Sequence, residues 1–82
     1  MLKVNETKSK LVFSITKDDE HGPVVGFCHF FQEAKSSERW NLELFYDGFI
    51  IQTMYNVEGV SKTVAQCCVN QAYELSRKDD VA

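Results

Sequence analysis

The sequence predicts an α+β fold: a small antiparallel sheet of four strands in meander order with one C-terminal helix packed on one face, order ββββα. Three observations carry this. Residues 11–55 contain runs of period-two alternation or of β-branched and aromatic residues. The pair Asp47-Gly48 sits between two such runs as a turn signal, and after Val60 the apolar period becomes helical. A chain of 82 residues holds one small core, so 1–82 is expected to be a single domain, with 1–9 a flexible or edge segment and 79–82 a frayed tail.

In the first strand Leu11, Phe13 and Ile15 face one way, and Val12, Ser14 and Thr16 the other. After His21-Gly22-Pro23 the run VVGFCHFFQ carries apolar side chains on both parities, which fits a central strand covered on much of both faces. The third and fourth strands, WNLELFY and FIIQTMY, flank Asp47-Gly48. A type I′ turn needs positive φ at both central positions, which Asp and Gly tolerate. That turn puts Tyr46 opposite Phe49, Leu44 opposite Ile51, Leu42 opposite Thr53 and Trp40 opposite Tyr55, all on the core face. Glu43 then pairs with Gln52 on the reverse face, together with Asn41, Phe45, Ile50 and Met54; a three-residue turn with a bulge would instead place Glu43 opposite Ile51.

In the helix, Ser61 is placed to cap the first turn. Val64, Cys68, Ala72 and Leu75 form an apolar stripe flanked by Val60, Ala65 and Cys67, while Lys62, Gln66, Asn70 and Arg77 take the opposite side. Asp79 and Asp80 oppose the negative end of the helix dipole, which predicts a stop near Arg77.

Composition narrows the function classes. Hydrophobic content of 44% with 26% charged residues is that of a globular chain, and a net charge of −3 supplies no long-range attraction to phosphate backbones or anionic membranes. The start, MLKVNETKSK, has no apolar core of signal-peptide length, and no stretch approaches the ~20 apolar residues of a membrane helix, so a soluble cytoplasmic protein is expected. Cys28, Cys67 and Cys68 are an odd set containing two neighbours, which does not read as a disulfide framework.

No motif reads as catalytic, cofactor-binding or metal-binding. Neighbours on a helix point roughly 100° apart, so Cys67 and Cys68 do not converge on one ion and read as small apolar residues on the buried stripe. Cys28 and His29, adjacent on a strand, cannot both join them. The acidic loop Asp18-Asp19-Glu20 lacks the spacing of a calcium loop, and GVSKT lacks the glycines of a phosphate-binding loop.

What remains is the reverse face, where Phe45, Ile50 and Met54 stand beside Glu43, Gln52 and Asn41, with part of the second strand, Cys28 and Phe30, joining them. An apolar patch rimmed by polar groups is how protein-binding surfaces look. The expectation is therefore a non-enzymatic protein-binding module with Glu43, Phe45, Ile50, Gln52 and Met54 as its contact residues. Its partner is another protein or a second copy of the chain bound through the open face. In size and class such a chain is similar to phage- or plasmid-encoded accessory proteins, inhibitors and immunity proteins. The alternative is weak binding of single-stranded nucleic acid through Lys3, Lys8, Lys10 and Lys17.

Overall fold

The computed structural model describes residues 2–34, 38–46 and 49–81, with the side chains of 49–51 and 76–81 outside that description. Five strands form one antiparallel sheet in chain order: β1 (Leu2–Glu6), β2 (Val12–Lys17), β3 (Val24–Phe31), β4 (Trp40–Tyr46) and β5 (Phe49–Val57). A helix, α1 (Lys62–Val81), follows. The class is the expected one, α+β with a C-terminal helix, and the sheet has one strand more than predicted. The added strand is β1: Leu2 and Val4 pair with Lys17 and Ile15 and are buried beside the helix, so the N-terminal segment is an edge strand on the core side.

The core lies between the sheet and α1. Leu2 and Val4, Phe13 and Ile15, Cys28 and Phe30, and Leu42 and Leu44 come in pairs from four successive strands, two residues apart on each, as the pleat requires. Phe13 and Phe30 meet edge to face at 5.7 Å. The helix adds Ala65, Cys68, Val69 and Ala72, with Val64 and Tyr73 at the margin. Its small residues let it lie close to the sheet, nearest to the edge strands β1 and β5. Ser61 caps α1 as its position suggests: Val64 N–H donates to Ser61 Oγ at 3.1 Å.

Three details of the expected helix differ. Its buried side is turned toward Val69, which leaves Cys67 and Leu75 exposed. It runs past Arg77 to Val81. Gln66, expected to face away from the sheet, accepts a hydrogen bond from Val4 N–H through Oε1 and donates through Nε2 to Leu2 C=O, both at 2.9 Å. One side-chain amide thereby takes the two outward backbone groups that flank Lys3, as a residue of a parallel neighbouring strand would.

The Asp47-Gly48 turn lies outside the described residues. Tyr46 does pair with Phe49, as predicted, but the register then slips: Leu44 pairs with Gln52, Glu43 with Thr53 and Leu42 with Met54. Between Phe49 and Gln52 the strand β5 holds one residue more than β4 does between Leu44 and Tyr46, and a one-residue bulge exchanges the two faces of everything beyond it. A second irregularity between Trp40 and Leu42 falls where Asn56 has a positive φ of 58° and donates its N–H to Asn41 Oδ1 at 3.2 Å. Gly26 marks another tight place, since a Cβ there would collide with the carbonyl oxygen of Phe45 on β4.

Replacing Gln66 by Ala leaves the Val4 donor and the Leu2 acceptor without the amide. The expected loss is about 1–3 kcal/mol in urea unfolding, with faster amide exchange at Val4. An unchanged midpoint and unchanged exchange would contradict the bridging role.

Candidate functional site

The bulge decides which expected contact residues share a surface. Gln52 and Met54 stand across from the buried Leu44 and Leu42, and Met54 packs against the core. Both leave the reverse face, with Gln52 Nε2 resting 4.0 Å from Met54 Sδ. Cys28 and Phe30 are fully buried core residues and do not join that face either. The side chain of Ile50 lies outside the described residues. Of the expected set, Phe45 and Glu43 remain on the helix-free side, with Phe45 37% exposed.

Others take the vacated places. Phe27, His29 and Phe31 alternate with Cys28 and Phe30 along the central strand and so point away from the helix. On β5 the slipped register turns Thr53 and Tyr55 outward. The face is organised in transverse rows. Ser14, Phe27 and Phe45 form one; Val12, His29, Glu43 and Thr53 form the next; Phe31 and Asn41 follow. Phe27 is 47% exposed and Tyr55 63%, and His29 stacks on Phe31 at 6.3 Å. Glu43 stands in the middle strands of this surface, whereas Lys3 lies on β1 at the far edge.

Sequence reasoning missed Phe27, Phe31 and Tyr55 as surface residues. The signal was present for β3: if Phe13 and Ile15 mark the core parity of β2 and Cys28 pairs with Phe13, then Phe27 must face outward.

The other chemical candidates resolve as packing or turn structure. Cys28 and Cys68 are buried, and Cys67, the next residue round the helix from Cys68, is exposed. Burial, with a smaller contribution from the Cys68 charge, pushes the Cys28 thiol from 9.0 up to about 12; burial and then Cys67 also raise Cys68. Nucleophilic thiol chemistry requires the thiolate, and burial opposes it at Cys28 and Cys68. His29 faces away from both thiols. In the acidic loop Asp19 Oδ1 accepts the His21 N–H at 2.8 Å and Glu20 lies 3.6 Å from His21, a turn closed by its own side chains. Among the described residues no three His, Cys, Asp or Glu side chains converge as metal ligands would, and no helix is long and apolar enough to cross a membrane.

A concavity of about 700 Å³ lies between the β1 edge and α1, lined by Leu2, Lys3, Asp18, Gln66, Tyr73 and Glu74 among others. Its central amide is already held by Val4 and Leu2. The chain matches no protein-family model, no curated protein and no solved structure at a significant level.

The buried thiol gives the fold a pH signature. Below pH 9.0 the folded and unfolded chains both keep the Cys28 proton, and stability from this group is fully present. Above it the unfolded chain releases the proton while the folded one retains it to about 12, so stability falls as pH rises through that interval. Under reducing conditions the denaturation midpoint of the wild type should drop more steeply across this range than that of Cys28→Ala. Parallel curves would contradict it.

Proposed function

We propose that the chain is a non-enzymatic protein-binding module whose docking surface is the helix-free sheet face, acting by occupying or masking the surface of another protein. The observation that carries this reading is the cross-strand pair Phe27 and Phe45, both over a third exposed near the centre of the sheet, with Phe31 and Tyr55 on the same face beyond the His29–Glu43–Thr53 row. Aromatic rings held on paired strands lose little side-chain freedom on binding. Covering the part of each ring that is still exposed contributes a share of the roughly 1.5–3 kcal/mol that full burial of a large apolar side chain supplies, the profile of an interface anchor. Glu43 and Thr53 beside them supply polar contacts that set register, and a partner with an apolar surface and a cation opposite Glu43 complements the face. Inhibitor and immunity-type proteins work in this way, by covering rather than by chemistry.

Binding of single-stranded nucleic acid is the second reading, favoured by the same exposed rings, on which bases could stack. Against it stands the charge: Glu43 occupies the middle of the platform, while Lys3, Lys8, Lys10 and Lys17 gather on β1, β2 and the connection between them. Backbone phosphates need cations interleaved with the rings.

The paired substitution Phe27→Ser and Phe45→Ser should abolish capture of the partner taken from lysate by the wild type, with far-ultraviolet circular dichroism unchanged. Retained capture by the folded variant would contradict the assignment. Tight binding of a single-stranded oligonucleotide that weakens steeply with salt would favour the second reading instead.

A further inference from the structure

The two edges of the sheet are treated differently. At β1 the outward groups Val4 N–H and Leu2 C=O are taken by the Gln66 amide, so that edge is closed by the chain itself. The direction of the β5 backbone follows from the ladder. Phe30 N–H donates to Leu11 C=O, toward β2. In an antiparallel sheet both backbone groups of a residue point to the same side and successive residues alternate, so His29 and Glu43 bond each other. Leu42 and Leu44 then face β5, where Met54 and Gln52 face back. It follows that Thr53 and Tyr55 turn their N–H and C=O outward, and among the described residues no hydrogen bond from the rest of the chain reaches these four groups.

Exposed edges are normally blunted by lysines, prolines, inward charges, shortness or bulges. Of these β5 has only its two bulges, and they leave Gln52, Thr53, Met54 and Tyr55 as a regular stretch between them. β5 is nine residues long, FIIQTMYNV, the longest strand of the sheet, with no charged residue and no proline. β1 is five residues long and carries Lys3 and Glu6. A neutral, β-branched and aromatic edge has nothing in it that repels a copy of itself: in an antiparallel pairing of two such strands no like charges meet in any register.

We propose that the chain forms a two-fold symmetric dimer in which β5 pairs antiparallel with β5 of a second copy, joining the two sheets into one of ten strands. The occupant is a second copy because the edge is neutral and self-complementary. This pairing uses the edge and not the face, so it stands whether or not the face binds another protein. Its consequence for that face is geometric: Tyr55 and Thr53 of each copy come to lie beside the join, and the two aromatic surfaces run on as one.

The test is light scattering on the full chain from dilute to near-millimolar concentration, together with residue-resolved amide exchange. Thr53→Pro removes an outward donor and leaves the Glu43 side of the ladder, where position 53 makes no bond, untouched. The expected result is a concentration-dependent dimer for the wild type. Its Thr53 and Tyr55 amides should exchange more slowly as concentration rises, and Thr53→Pro should be a monomer with unchanged circular dichroism. If Thr53→Pro fails to fold, the wild-type exchange at Thr53 and Tyr55 decides alone. A wild type that stays monomeric, amides equally fast at all concentrations, or a dimer dissociated by Phe45→Ser but not by a folded Thr53→Pro would overturn the proposal.

Discussion

The molecule is organised by having one helix for a five-stranded sheet. A helix can shield one face, so every strand must sort its side chains into a set that meets α1 and a set that does not. The sorting is strict in the middle of the sheet, where Cys28, Phe30, Leu42 and Leu44 are excluded from water while Phe27, Phe45 and Glu43 are not. Full burial of one large apolar side chain contributes roughly 1.5–3 kcal/mol, comparable with a sizeable part of the net stability of so small a domain. Exchanging the two faces of any one central strand would forfeit several such contributions together, and this fixes the register of the rest.

Where the strands run unbroken, that constraint is readable in the sequence. Phe13 and Ile15 announce the core parity of β2, and the β-branched and aromatic density of VVGFCHFF marks the central strand. The helix is equally plain from its period and its Ser61 cap. What could not be read is the pair of irregularities in β5. Nothing in FIIQTMYNV distinguishes a strand that bulges from one that does not, because the strand is apolar on both parities and either register buries oil. The bulge moves Met54 and Gln52 under the helix and Thr53 and Tyr55 away from it, so a correct strand assignment still led to a partly wrong surface.

Gln66 illustrates the other kind of limit. By helical spacing it belongs with Lys62 and Asn70 on a polar side, and period alone gives it to solvent. Its use is set by long-range geometry: β1 comes to lie beside the helix, and a buried edge with unpaired backbone groups needs a partner that both donates and accepts. A primary amide meets that need. N-terminal residues with too few apolar positions to mark a strand are thus held in the sheet by a side chain more than sixty positions away.

The open face, more than the edges or the thiols, is what the functional account rests on. Its most direct test is solvent paramagnetic relaxation with an inert soluble gadolinium chelate, read residue by residue in the nuclear magnetic resonance spectrum. The ring protons of Phe27, Phe45 and Tyr55 should relax strongly, while the methyl protons of Leu42 and Leu44 and the ring protons of Phe30 stay unaffected. A shielded Phe45 together with a relaxed Leu44 would mean that the helix covers the other side, and the account would be wrong.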